Sequence, residues 1–448
     1  MAVVKKPISG TPVSPAEVLP NPPVVSTPKP PLIAIHDATQ QARYLRQILE
    51  DNKLRIGCFL GAGCPLGIYD AMGEKSVVLI PAVVELTKRV ASGLGSSGKK
   101  AWDLLFGECK SPDCTDPTVE DVLTELRTLA NRRGSAEVLG LTKKSLTDLD
   151  IEISDLIVKE MTKPLPAYRC SYNRFASWIG GRQGIFPVEI FTPNYDLLFE
   201  QAFEQHPLPH FDGFVGSREP WFDLASIEHD AIPGRWTRLW KLHGSINWEK
   251  IEDIVNGVSL TRIVRVAREA EKDKVMIAPS HLKYDQSRRM PYLAMLDRVR
   301  AFFRGRKRGD IDKNEEDSPR LVVCGYSFLD DHLNEVLLDG LRGNHSAQCF
   351  ALMYSNLSDH PRVVEYAEKQ ANLTVLARDG AVIGTRVGRY RLGSSGGDEH
   401  VPWLYEETVG TVDDPTKSEQ QVRSHLGDFH YFGLFVEQLC GGGVHNAH

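Results

Sequence analysis

The sequence predicts an α/β fold: a parallel sheet with helices on both faces and an inserted helical module. Three observations predict it. Four segments share one plan, an apolar strand that runs into small and polar residues: LGAGCPLG at 60–67, FTPNYDLLFE at 191–200, KLHGSINW at 241–248 and VVCGYSFLDDHLN at 322–334. From 321 to 377, strand and helix patterns alternate as parallel βαβ units do. Residues 100–180 carry helical apolar periodicity almost throughout. Open α/β sheets bind ligands at the carboxyl ends of their strands, so the four polar strand ends are expected to meet at one site.

The elements follow in order. Residues 38–51 place Ala42, Leu45, Ile48 and Leu49 at helical spacing, and a strand at 54–60 leads into the glycine loop. A helix is expected at 77–93, closed by the Gly/Ser break at 93–98. In the helical stretch, Thr118 followed by Asp121 resembles an N-cap signal, and Val119, Val122, Leu123, Leu126 and Leu129 make one apolar stripe. Further amphipathic stretches cover 145–162 and 167–179, so the insertion spans about 68–184 and its stripes read as packing surface. The sheet returns at 188–192, with a helix at 196–205 after it. Residues 211–223, aromatic and glycine-rich, suit a loop packed over a pocket. Strands at 238–242 and 275–278, a helix at 290–303 and an exposed charged loop at 304–318 precede the final alternation: strand 321–325, helix 330–342, strand 348–354, helix 360–371, strand 373–377. A Rossmann-like domain over 36–380 results. The segment 381–448 follows, and its aromatic-rich part, 426–440, reads either as an exposed oligomer contact or as an element completing the core.

Composition narrows the class. A chain of 448 residues allows up to about three domains of ~150 residues, or one large α/β domain with an insertion. The net charge of −6 disfavours direct nucleic-acid binding. The basic run Arg300, Arg304, Arg306, Lys307 and Arg308 is followed by Glu315, Glu316 and Asp317, as in a solvated loop. No run of ~18 apolar residues exists, so no membrane span is expected. Residues 1–35 are rich in proline, serine and threonine and lack an apolar centre; they read as a disordered arm, not a signal peptide. The eight cysteines form no CxxC pair, so no zinc ribbon and no metal are expected. Cys58, Cys324 and Cys349 sit in apolar runs and read as reduced core residues, which points to a cytoplasmic setting.

Taken one at a time, the polar strand ends have ordinary explanations. Gly61-Ala62-Gly63 lets backbone approach a phosphate, but Gly67 misses the dehydrogenase GxGxxG spacing by one residue, and no second strand follows within ~30 residues. Asn194 suits a turn, Asp196 a helix cap, and His243 a structural histidine. Asp330 also reads as a cap, with Asn334 on the same helical face.

Together they resemble the sirtuin-like superfamily, specifically its bacterial Sir-two-like branch. The matching residues are GAG at 61–63, TPNYDLLFE at 192–200, KLHGSINW at 241–248, IAPS at 277–280 and GYSFLDDHLN at 325–334, spread over about 55–380. The resemblance implies NAD as substrate. Gly61, Ala62 and Gly63, with Cys64 beside them, would line the pyrophosphate. Asn194 and Asp196 would flank the nicotinamide ribose, and His243 would be the general base. Gly325 and Ser327 would hold a phosphate or the adenosine ribose, with Asp330 bracing their loop. Cys64-Pro65 and Pro193 depart from the usual pattern. The branch with NYD implies an NAD+ hydrolase acting as an effector of anti-phage defence by NAD depletion. The loop FDGFVG at 211–216 implies a homo-oligomer paired with a HerA-type hexameric ATPase. An NAD-dependent protein deacylase and a non-catalytic sensor of NAD or ADP-ribose are the alternatives.

Overall fold

A computed structural model describes residues 34–71, 77–111, 115–131, 137, 139–255, 258–267, 274–276, 290–305, 318–392, 403–410 and 418–440. Nearly all of the N-terminal arm, the IAPS segment and most of the charged loop lie outside them. The frame is a ten-stranded sheet in the order Ala34–Asp37, Arg386–Arg391, Gly380–Ile383, Leu373–Leu376, Gln348–Leu352, Pro319–Cys324, Arg55–Leu60, Glu189–Thr192, Thr237–Lys241, His210–Phe211. All six pairings from Leu373–Leu376 to His210–Phe211 are parallel. The chain steps outward one way from Arg55–Leu60 through Glu189–Thr192 to Thr237–Lys241. It steps the other way from Pro319–Cys324 through Gln348–Leu352 to Leu373–Leu376. The order therefore reverses between Arg55–Leu60 and Pro319–Cys324, the kind of switch point at which open sheets take ligands.

The alternation of side chains along each strand builds two cores. Phe59, Phe191, Leu321, Val323, Ala351 and Val375 pack with the helices Tyr292–Arg304, Asp331–Gly343 and Pro361–Lys369. Cys58, Leu60, Ile190, Val322, Cys324 and Phe350 pack with Ala38–Glu50, Ser171–Gly181, Leu198–Gln205 and Phe429–Gln438. The parallel sheet with helices on both faces is the fold that the sequence predicts.

The inserted module has its own interior. Val83–Gly93, Ser96–Glu108, Val119–Asn131 and Lys143–Met161 share a third apolar cluster, and the whole predicted stripe from Val119 to Leu129 is buried in it. Thr118 donates to Asp121 Oδ2 from its amide at 2.7 Å and from its hydroxyl at 2.8 Å, so Asp121 fills the Glu/Gln place of a capping box.

Four expectations are corrected. The first module helix starts at Val83 rather than 77, because Val77 and Leu79 pair back onto Asp70 and Ile68 and Pro81 follows. Ser171–Gly181 belongs to the layer covering the sheet, not to the module core. The sheet continues past 380 through Gly380–Ile383 and Arg386–Arg391, and Arg386–Arg391 pairs with Ala34–Asp37, so Ala34 and Ile35 of the expected arm belong to the sheet. The segment 211–223 is not simply a loop: Phe211 and Phe214 are core residues, and Phe214–Val215 and Trp221–Phe222 are strands. They join Gly244–Val255, Val258–Arg265 and Lys274–Met276 in a five-stranded antiparallel sheet that the sequence reading missed.

The aromatic C-terminal patch packs into the core. Phe429, Phe432, Phe435 and Val436 are buried, with Phe429 and Phe432 against Phe175 of Ser171–Gly181. Burying each such ring contributes roughly 1.5–3 kcal/mol, so this face completes the core rather than standing open. Among the described residues no helix is long and apolar enough to cross a membrane.

Candidate active site

The two innermost strands end in a seam of glycines. Gly61 donates its amide to Cys324 O at 3.0 Å, and Gly63 to Gly325 O at 2.7 Å. A Cβ at Gly61 would lie 2.5 Å from Gly325 O, and one at Gly325 would lie 2.6 Å from Cys64 N, where φ is also +66°. The space that a side chain would need is therefore filled by the opposite loop. That is a different reason for these glycines from the expected approach to a phosphate. Ala62 and Ser327 are exposed on the two loops. Cys64 is buried, its Sγ 3.5 Å from Cys324 O, and burial pushes its thiol well above the ordinary range. It packs the seam as an inert thiol.

Asn194 and His243 occupy matched positions on the next two strands. Thr192 and Lys241 are register partners, and each functional residue lies two places further on. The turn is tied to the glycine loop: Thr192 Oγ1 donates to Leu60 O at 2.7 Å and accepts the Asn194 amide at 3.1 Å. Asn194 Nδ2 donates to Gly61 O at 3.1 Å. Leu242 N donates back to Thr192 O at 2.8 Å. Asn194, Asp196 and His243 are all buried.

The fourth segment arrives from the far side of the switch point. Asp330 Oδ1 accepts the Leu333 amide at 3.2 Å, capping Asp331–Gly343 as expected, while Oδ2 lies 3.5 Å from His243 Nε2. Tyr326 Oη donates to Asn334 Oδ1 at 2.8 Å and Asn334 Nδ2 to Phe328 O at 2.8 Å, which locks the loop carrying Asp330. The structure thus brings Gly61, Asn194, His243 and Asp330 together from four strand ends.

Sequence reasoning missed Lys241. It is buried, and its Nζ donates to Glu200 Oε1 at 2.9 Å, to Ser245 Oγ at 2.8 Å and to Asp196 O, with Tyr195 O 3.3 Å away. One ammonium group thereby fixes the turn that presents Asn194. Burial pushes the Asp196 carboxyl up to about 6, against the pull of Lys241 and of the Leu198 amide, which Oδ1 accepts at 3.0 Å. Asn247, also missed, is buried with an Oδ1 that accepts no hydrogen bond among the described residues. Among those residues no group of three His, Cys, Asp or Glu side chains is placed to hold a metal ion.

An imidazole beside a carboxylate can accept a proton, and a buried amide can orient a sugar or a water. The family model for the SIR2-like domain matches residues 188–376, the span that holds Asn194, Asp196, His243 and Asp330. Over that span the chain is similar to the SIR2-like domain. Among solved structures, one described as "Structural Basis for the Mechanism and Regulation of Sir2 Enzymes" aligns over 71% of this chain and 88% of its own, with 12% identity and a TM-score of 0.30. That superposition is loose. No curated protein matches.

Proposed function

We propose that the chain hydrolyses NAD+, releasing nicotinamide and ADP-ribose. One observation carries the reading: Asn194 and His243, far apart in sequence, end adjacent parallel strands in matched register beside the sheet's switch point. The SIR2-like match over the same residues directs the choice of substrate to NAD. In the reaction the C1′–N bond breaks and its electron pair leaves with nicotinamide. Water oxygen bonds to C1′, and the water proton passes to His243 and then to solvent. The transition state is oxocarbenium-like, as in other glycoside cleavage. Asn194 positions the ribose or the water. Asp196 shapes the turn through Leu198 N and adds a carboxylate to the site.

The test is nicotinamide release from pure protein, followed with an etheno-NAD reporter. General-base catalysis is worth about 10²–10⁴-fold, so His243→Ala is expected to lose that factor with its circular dichroism and melting temperature unchanged. Near-wild-type cleavage by the variant would remove His243 from the mechanism. Turnover of an acetyl-lysine peptide in place of hydrolysis would make the chain a deacylase, and tight NAD binding without turnover would make it a sensor.

The wider role rests on the resemblance: an effector of anti-phage defence that depletes NAD as a homo-oligomer with a HerA-type ATPase. A strict monomer in size-exclusion chromatography, with and without the ATPase, would end that part of the reading.

A further inference from the structure

We propose that Asn247 recognises the carboxamide of nicotinamide: its side-chain oxygen accepts from the carboxamide NH2, and its own NH2 donates to the carboxamide oxygen. The inference rests on the hydrolase reading above and adds to it a residue that selects the leaving group.

Asn247 lies in a distorted stretch of strand against the turn that presents Asn194. Met276 pairs with Gly244, but Lys274, two places before it, pairs with Glu249, so the strand Gly244–Val255 bulges between those points. Bulges beside active sites re-aim side chains. This one is tied to the turn: Ser245 Oγ donates to Tyr195 O at 3.3 Å and accepts from Lys241 Nζ at 2.8 Å, and Ile246 N donates to Tyr195 O at 3.1 Å. On the other side Val266 N donates to Asn247 O at 2.9 Å, and Trp248 packs into the core with its ring 5.0 Å from that of Phe214. The backbone at 247 is therefore held, four residues past His243. The side chain is not: Asn247 is 6% exposed, and its Oδ1 is buried with no hydrogen bond among the described residues. A buried amide oxygen without a donor is destabilising. Beside a candidate active site, it is a place for a donor carried by the ligand.

The chemistry of NAD+ narrows what that donor is. The pyrophosphate carries acceptors alone and does not match an unpaired oxygen. The ribose beside nicotinamide is the group that Asn194 faces in the hydrolase reading. Adenine and the nicotinamide carboxamide each set a donor beside an acceptor on one edge, which is the complement of a primary amide. Adenine stands at the far end of the dinucleotide from C1′, where His243 acts. The carboxamide is on the departing ring itself, at the same end as His243 and the bulge that follows it.

Nicotinic acid adenine dinucleotide tests this in the full-length wild-type protein, because its carboxylate offers acceptors only and would meet Oδ1 oxygen to oxygen. The wild type is expected to favour NAD+ by about 100-fold or more in kcat/KM, and a preference below about threefold overturns the proposal. Asn247→Leu keeps roughly the shape of the side chain and removes its polar atoms, so the melting temperature without ligand is expected to equal or exceed that of the wild type. The KM of this variant for NAD+ is expected to rise about tenfold or more, with kcat changed less than about threefold, and its preference over the acid to fall about tenfold or more. An unchanged preference overturns the proposal. If the leucine variant does not fold, Asn247→Ser carries the same comparison. If the wild type releases no nicotinamide, the hydrolase reading fails by itself, and binding still decides the role of Asn247. Nicotinamide, but neither nicotinic acid nor adenosine, is expected to raise the melting temperature of the wild type and not that of the variant. No shift with nicotinamide, or an equal shift in the variant, overturns the proposal.

Discussion

Two buried carboxylates on one strand sit in opposite circumstances. Glu189 opens the strand Glu189–Thr192, and Asp196 stands just past its end. Burial pushes Glu189 upward, but Arg55 at 2.9 Å, Arg298 at 3.7 Å and the Trp240 indole at 2.9 Å outweigh it and hold the acid below the usual carboxylate range. Asp196 is also buried, yet the nearby ammonium of Lys241 is divided among Glu200, Ser245 and two backbone carbonyls, and the carboxyl is pushed up to about 6. The amino end of the sheet compensates its charge fully. The carboxyl end leaves a group half-compensated near physiological pH, as working sites do.

The largest test of that contrast is Lys241→Met. It leaves the Glu200 carboxylate and two backbone carbonyls without their cation, so a loss of about 3–5 kcal/mol in urea unfolding is expected. A loss below about 1 kcal/mol would mean that the clasp does not organise the turn. Glu189→Gln strands two guanidinium groups at the other end and is expected to cost roughly 3 kcal/mol at pH 7. Because the folded acid lies below its unfolded value, this penalty shrinks as pH falls through the carboxylate range; a penalty that grows with acid would invert the assignment.

Asp196→Asn is the smallest change and has the opposite sign. The folded carboxyl, at about 6, binds its proton more tightly than the unfolded one, whose ordinary value is 3.8. Its contribution to stability is therefore complete below pH about 4 and is lost as pH rises through about 6. The variant is expected to be roughly 2 kcal/mol more stable than wild type at pH 8 and nearly equal at pH 4. Thermal melts at the two pH values measure this, and equal offsets at both would show that Asp196 is not strained by burial.

How much of this was legible depends on which patterns reach the sequence. The strands Arg55–Leu60, Glu189–Thr192, Thr237–Lys241 and Pro319–Cys324 are short apolar runs that end in small polar residues, and both features are local. The module helices announce themselves through stripes such as Val119 to Leu129. The antiparallel sheet was missed because Glu249, Lys250, Glu252 and Asp253 dilute the alternation of Gly244–Val255. The sharper signal in the sequence is Asn256-Gly257 between two such runs, a dipeptide that favours hairpin turns. Asn194, Asp196, His243 and Asp330 could be found because strand ends and a family likeness both point at them. Lys241 could not: a lysine inside a strand ordinarily faces water, and only its partners from the turn and the following helix explain its burial. The closeness of Asp330 to His243 is likewise a product of topology, since strand order rather than spacing brings 243 and 330 together.

The contact between Gly61, Gly63 and Gly325 joins peptide to peptide, with no rotamer available to take up slack. The halves of the sheet on either side of it cannot breathe apart without breaking main-chain hydrogen bonds. The strand ends on either side of the seam therefore behave as a fixed anvil.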